Sequence, residues 1–161
     1  MIKTILKAAC LGIVAGSRSM TAPALVSGYL AHTQPASTMQ SSFRWLASPK
    51  TAAFLKLMAI GELAADKLPA TVSRLVPGSL VFRALSGGLS GAALCAEDKK
   101  QIGLGAVTGG FAALLSAYGL YHLRQFAGKR LNLPDPLVGL VEDAAVLPIG
   151  WCALSDNDSQ G

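Results

Sequence analysis

Two short acidic motifs hold the carboxylates that are best placed for chemistry. The first, GELAADKLP, contains Glu62 and Asp66, which lie four residues apart and therefore share one face of a helix. The second, EDAAVLP, begins with Glu142 and Asp143 and repeats the order acid, Ala-Ala, Leu-Pro. Because a carboxylate among apolar side chains is costly unless it takes up a proton or meets a cation, each motif is a candidate functional site.

Two arginines could supply the matching positive charge. Arg18 lies in GSRSMTAP, a polar interruption that also brings Ser19 and Thr21 into the first apolar run, and Arg83 precedes a glycine-rich run. Since arginine stays charged at depth, each guanidinium is expected to hold a carboxylate or an anion. The predicted substrate-binding or ion-binding set is Arg18, Ser19, Thr21, Glu62, Asp66, Arg83, Glu142 and Asp143.

Composition indicates that helices in a lipid bilayer position these residues. The 161 residues are 52% hydrophobic and only 14% charged, which is unusual for a water-soluble domain. A bilayer-spanning helix needs about 20 mostly apolar residues. Windows that approach this length are residues 8–31, 51–68, 77–96, 102–122 and 136–154. We therefore predict an all-α membrane protein with about five transmembrane helices.

The first of these windows is predicted to be a broken helix. Gly16 loosens its middle, and Pro23 removes a backbone donor and disfavours helical geometry at the residue before it. In lipid, the carbonyl groups freed by such a break must find partners in protein or in a water-filled cavity. We therefore expect Arg18 to face the interior of the bundle.

Glycines spaced four residues apart predict close packing between helices. This spacing lets two helix backbones approach without intervening side chains. It occurs in three separate windows, at Gly12 and Gly16, Gly87 and Gly91, and Gly105 and Gly109.

The order of the motifs predicts an internal duplication. GIVAG in the first window matches GAVTG in the fourth, and an acidic window follows each of them. Because one further window separates the copies, the two copies would cross the membrane in opposite directions. The prediction is an inverted two-helix repeat around a central glycine-rich helix, an architecture common in transporters.

Charge distribution predicts the location of the chain. Lys and Arg are commoner on the side of the spans that holds the N-terminus, which favours a cytoplasmic N-terminus in a multi-pass protein of the bacterial cytoplasmic (inner) membrane. We expect one transmembrane domain at residues 1–155 and a polar tail at 156–161. The lipid bilayer is the expected partner, and homo-oligomerisation is left open. The basic residues are dispersed, so no nucleic-acid partner is predicted. No metal, no cofactor and no set of catalytic residues is predicted either.

The motifs GxxAGxRSMTxPA, GExxxDKxP, RxxSG and EDA resemble an uncharacterised family of small bacterial integral membrane proteins, one of the domain-of-unknown-function families. The resemblance covers nearly the whole chain except residues 32–50 and the C-terminal tail. It implies a membrane location and importance of the charged positions, and it names no substrate.

Three functions fit these observations. The leading hypothesis is a transporter or channel for a small solute or ion, with a charged site near the bilayer midplane. The alternative is a non-transporting structural or assembly protein in which buried Arg–carboxylate pairs fix the helix packing. The third is a membrane enzyme that acts on a lipid head group, with the acids as proton donors and acceptors. A closed bundle with both arginines paired and no cavity would favour the structural role.

Overall fold

A computed structural model describes residues 2–33, 41–65, 77–99, 101–131 and 135–155. Over these ranges the chain is helical and contains no strand, which confirms the predicted all-α class. A short 3-10 helix, Ser41–Phe43, lies between the second and third α-helices. The α-helices are α1 (Ile2–Ser17), α2 (Thr21–Thr33), α3 (Pro49–Ala65), α4 (Pro77–Glu97), α5 (Ile102–Leu131) and α6 (Asp135–Ser155).

Three segments are long and apolar enough to cross a membrane: Pro77–Glu97, Ile102–Phe126 and Val138–Ser155. Their outward faces are apolar too. Val107, Phe111 and Leu115 follow one another at four-residue intervals along α5, and each is more than half exposed. Such a stripe would be unfavourable in water and is the expected surface in lipid. The protein is therefore a helical membrane protein.

The other three helices are shorter than a typical membrane crossing. They contain 16, 13 and 17 residues in α1, α2 and α3, whereas a bilayer core needs about 20. The total of five spans therefore stays a prediction.

The predicted break in the first window is present, and the chain also turns back there. A Cβ atom placed on Gly150 of α6 would meet both Val14 of α1 and Leu25 of α2. In one continuous helix those two residues would lie about 16 Å apart. The chain therefore reverses at residues 18–20, and α1 and α2 form an antiparallel hairpin whose tip is this three-residue turn.

Pro23 explains why α2 begins where it does. It is the third residue of α2, within the first turn, where a backbone N–H has no acceptor inside the helix. The proline is therefore tolerated at this position, whereas the continuation of α1 through it would lose a hydrogen bond and place the ring against a carbonyl group. The sequence around Pro23 favours a new helix start over a kink.

Helices α1, α4 and α5 form a core in which glycines face one another. A Cβ atom on any of the six predicted packing glycines would lie closer than 3.0 Å to a backbone oxygen of a neighbouring helix. On α1 and α4, the glycines Gly12, Gly16, Gly87 and Gly91 face α5, and on α5 the pair Gly105 and Gly109 faces α4. The close backbone approach that the spacing predicts is thus made mainly along α5.

The directions of these helices differ from an inverted duplication. Gly12 lies against Gly109, and Gly16 lies against Ala113 farther along α5, so α1 and α5 run parallel. An inverted two-helix repeat requires its two glycine helices to be antiparallel. The difference arises because the hairpin adds one reversal of the chain that the sequence pattern does not reveal.

Helices α3 and α6 lie outside the glycine core. Helix α3 packs mainly along α2, while α6 packs on α1 and touches α2 and α5. Both helices reach the tip of the hairpin through charged side chains, and these contacts build the candidate site.

Candidate functional site

The tip of the hairpin brings together two helix ends of opposite polarity. The last carbonyl groups of α1 and the first N–H groups of α2 have no partners within their own helices. The helix dipoles add partial negative charge at the first end and partial positive charge at the second. In lipid these groups must be satisfied by other parts of the protein.

Glu62 of α3 satisfies the N-terminal end of α2. Its carboxylate accepts hydrogen bonds from the backbone N–H groups of Ser19 at 2.9 Å and Met20 at 2.8 Å. The hydroxyl of Ser19 donates to the same carboxylate at 3.1 Å. A carboxylate at a helix N-terminus is stabilised by both the N–H donors and the dipole. Glu62 therefore ties α3 to the tip of the hairpin.

Arg83 of α4 satisfies the C-terminal end of α1. Its guanidinium donates to the carbonyl of Gly16 and, at 2.7 Å, to the carbonyl of Ser17, and its Nε donates to the Ser79 hydroxyl at 3.2 Å. The side chain is buried. The Ser86 hydroxyl donates to the carbonyl of Ser19. A cation at a helix C-terminus is favourable for the same dipole reason.

Arg18, within the turn, pairs with Asp143 of α6. Its Nε donates to Oδ1 at 2.6 Å and its Nη2 donates to Oδ2 at 2.7 Å, a bidentate arrangement. The two side chains are only 7% and 12% exposed. This pair connects α6 to the turn in the same way that Glu62 connects α3.

The structure thus gathers most of the predicted site residues at one turn, including one acid from each of the two acidic motifs. Asp66 lies outside the described residues, and Glu142 lies in α6 but its side chain is not among those described. No buried side-chain nitrogen or oxygen in the described part of the chain lacks a hydrogen-bond partner. The residues at the tip are Arg18, Ser19, Glu62, Arg83 and Asp143, with Thr21 beginning α2 beside them.

The tip lies well inside the length of the apolar helices. Gly16, two residues before Arg18, lies against Ala117 of α5. Ala117 is about 22 Å from the first residue of α5 at 1.5 Å per residue, and the apolar segment of that helix continues to Phe126. The charged cluster is therefore flanked by apolar helix on both sides along the bundle.

A cavity of about 510 Å³ begins beside this cluster and lies between α2, α3 and α6. Thr21 lines one end of it, and His32 and Thr33 line the other. The cavity therefore follows α2 for about 18 Å. Most of its remaining lining consists of apolar side chains, including Ile60 of α3 and Trp151 of α6.

Lys56 also lines the cavity, and it is not among the site residues predicted from the sequence. It is the eighth residue of the 17 in α3, and apolar side chains such as Phe54, Leu57 and Ile60 surround it in the sequence. A basic residue within an apolar window is itself a signal of a functional position. That signal was available in the sequence, since Lys56 falls inside the second predicted span.

Metal binding gains no support from the described ranges. Among them, His, Cys, Asp and Glu side chains form no group of three that could hold a metal ion. The acids at the tip instead meet N–H groups and a guanidinium, so their present role is hydrogen bonding and charge pairing.

Replacement of Arg83 by methionine is expected to destabilise the protein by roughly 2 kcal/mol. Methionine has a similar length and no donors, so the buried carbonyls of Gly16 and Ser17 would lose their partner. Denaturant titration in detergent micelles would measure the loss. Arg44→Met is the matched control because Arg44 is exposed; an equal effect of both substitutions would contradict the capping role of Arg83.

Comparison with known proteins identifies a family for this chain. A family model described as a domain of unknown function, DUF4126, matches residues 5–155. Neither the curated proteins nor the solved structures contain a match to the chain.

Proposed function

We propose that this chain, which belongs to the DUF4126 domain-of-unknown-function family, is a small membrane transporter or channel whose solute path follows the cavity between α2, α3 and α6. We place it in the bacterial cytoplasmic membrane with a cytoplasmic N-terminus, as the distribution of basic residues favours.

The observation that carries the proposal is the position of the cavity beside a charged helix hairpin. Helix ends that meet inside a bundle present N–H and carbonyl groups to a solute, as in transporters with discontinuous helices. Here the cavity reaches Thr21, two residues from Ser19, whose backbone N–H donates to Glu62. Polar groups of the tip are thus adjacent to a space of the size that small-molecule sites have, about 300–1,000 Å³.

The two peripheral helices offer a way to open and close this space. Helix α3 is held at the tip by Glu62, and α6 is held there by Asp143. Both helices line the cavity. A solute or ion that competes for the Ser19 and Met20 N–H groups or for Arg18 would release one of these helices and widen the cavity. The same carboxylates would restore the present arrangement when the solute leaves.

A second candidate function has its own observation in support. Both Arg18 and Arg83 are paired with acceptors, as expected of a structural protein in which charges fix helix packing. The cavity distinguishes the two candidates, because a purely structural bundle does not require an open space beside its paired charges.

Flux measurements test the proposal. Proteoliposomes would be loaded with a mixture of aliphatic sulfonates, amino acids and alkali-metal salts, and the external solution analysed by mass spectrometry over time. We expect efflux of at least one component, and a roughly tenfold or greater loss of it in Glu62→Gln and Asp143→Asn, since each removes a charge from the hydrogen bonds at the tip.

The matched control is Glu97→Gln, which also replaces a carboxylate by an amide. Glu97 is the last residue of α4, far along that helix from Arg83 and the hairpin tip. Circular dichroism and monodispersity would show that the variants remain folded. Efflux that is absent from the unsubstituted protein, or equal in all four proteins, would leave the structural function as the better account.

A further inference from the structure

We infer that the cavity binds an anionic amphiphile, with one apolar chain lying along α2 and the charged group held by Lys56. The inference rests on the proposed function in that it names the class of solute for the same cavity. Binding can nevertheless be measured without transport, so the two claims can fail separately.

The shape of the cavity favours a chain-like molecule. It extends along α2 from Thr21 to Thr33, which is about 18 Å at 1.5 Å per residue. Its walls include Leu25 of α2, Ile60 of α3 and Trp151 of α6, so an apolar chain would be in contact with side chains from all three helices. Burial of such a chain is favourable in proportion to the apolar area covered.

The charge of the lining favours an anion. Lys56 is a lining residue from the middle of α3, and His32 provides a further nitrogen at the end of α2. No carboxylate lies among the described residues that line the cavity. A lysine at this distance from both helix ends is costly in lipid unless it faces a polar or charged partner. A ligand with a negative group supplies that partner.

Gly28 gives the lysine side chain its place in the cavity. A Cβ atom on Gly28 would lie 3.3 Å from Cε and 3.6 Å from Nζ of Lys56. The ammonium group therefore lies over α2, near the middle of the cavity's length. Tyr29, the next residue, also lines the cavity. The negative group of the ligand is thus expected beside Gly28, with its chain directed towards Thr21.

Trp151 offers a direct optical test. The chain has two tryptophans, and Trp45 is absent from the cavity lining, so Trp45→Phe leaves Trp151 as the sole tryptophan. The probe is a terminally brominated alkyl sulfonate, whose bromine quenches tryptophan, and its comparator is the brominated alcohol with the same chain. Both would be titrated into the protein in detergent micelles and in phosphatidylcholine vesicles.

We expect saturable quenching by the sulfonate and at least about tenfold weaker quenching by the alcohol, because only the sulfonate pairs with the ammonium group. Lys56→Gln should weaken sulfonate binding about tenfold and leave alcohol binding unchanged. Lys50→Gln is the matched control, since Lys50 is on the same helix and is exposed, as Lys56 is, but does not line the cavity.

Equal quenching by sulfonate and alcohol in the protein with Lys56 intact would overturn the inference. It would show that the cavity accepts any alkyl chain, with or without a negative charge. Equal sulfonate affinity in the Lys56 and Lys50 variants would overturn it as well. Sulfonate binding without efflux from proteoliposomes would support the inference and count against transport. Efflux of uncharged or cationic solutes alone would support transport and overturn the inference.

Discussion

Replacement of Gly109 by alanine is expected to destabilise the protein by about 3 kcal/mol or more, because the added methyl group overpacks the centre of the core. A Cβ atom at this position would overlap the carbonyl group of Gly87 and would also lie 3.5 Å from the carbonyl oxygen of Ala8. Both are backbone atoms, so relief requires whole helices to separate. Separation of α4 from α5 would also remove neighbouring glycine contacts at Gly91 and Gly105.

Gly119→Ala is the matched control on the same helix. A Cβ atom at Gly119 would meet nothing within 4 Å. Since alanine is favoured over glycine in helices by about 1 kcal/mol, this variant is expected to be as stable as the unsubstituted protein or slightly more so. Denaturant unfolding in micelles, followed by circular dichroism, measures both. Equal stability of the two variants would show that the glycine contacts of α5 do not hold the core together.

Replacement of Asp143 by alanine is expected to cost about 3–5 kcal/mol, the range for removal of one member of a buried ion pair. Arg18 would keep its charge on a side chain that is only 7% exposed and would lose both hydrogen bonds to the carboxylate. Helix α6 would lose the polar connection that Asp143 makes to the hairpin tip. The same unfolding titration measures the loss, and proteolysis near α6 would show whether that helix separates first.

A double-mutant cycle separates the energy of the Arg18–Asp143 pairing from the effect of changing the size of either side chain. In Arg18→Met with Asp143→Met, no unpaired charge remains, so the double variant should be more stable than Asp143→Met alone. A coupling energy near zero, that is, a double variant destabilised by the sum of the two single effects, would contradict the pair.

The sequence was sufficient to predict the class of fold and the residues at the charged cluster. Apolar windows predicted α4 and α6 to within one residue at each end, and they predicted the start of α5, which continues nine residues beyond its window. That Arg18 would meet a carboxylate or an anion could be predicted because an arginine at depth needs such a partner. The sequence did not single out Asp143 among the four predicted acids. Glycine spacing predicted Gly12, Gly87 and Gly109 as contact positions, because glycines four residues apart let two helix backbones approach closely.

The reversal at residues 18–20 could not be read from the same patterns. A proline within an apolar window is compatible with a kink, a re-entrant turn or a new helix. The hydropathy of the window is the same in all three cases, so it cannot distinguish them. The choice depends on distant groups, namely Glu62 on the N-terminal end of α2 and Arg83 on the C-terminal end of α1. This additional reversal inverts the direction of every later helix relative to α1. The sequence pattern therefore predicts antiparallel glycine helices, whereas α1 and α5 are parallel in the structure.

The central claim is that solute moves through the cavity between α2, α3 and α6, and filling that cavity tests it most directly. Ala59 lines the cavity, whereas Ala53 on the same helix is exposed and does not. Efflux from proteoliposomes should be abolished in Ala59→Trp and unchanged in Ala53→Trp, with both variants folded. Equal efflux from the two variants would show that the cavity is not the path and would contradict the account.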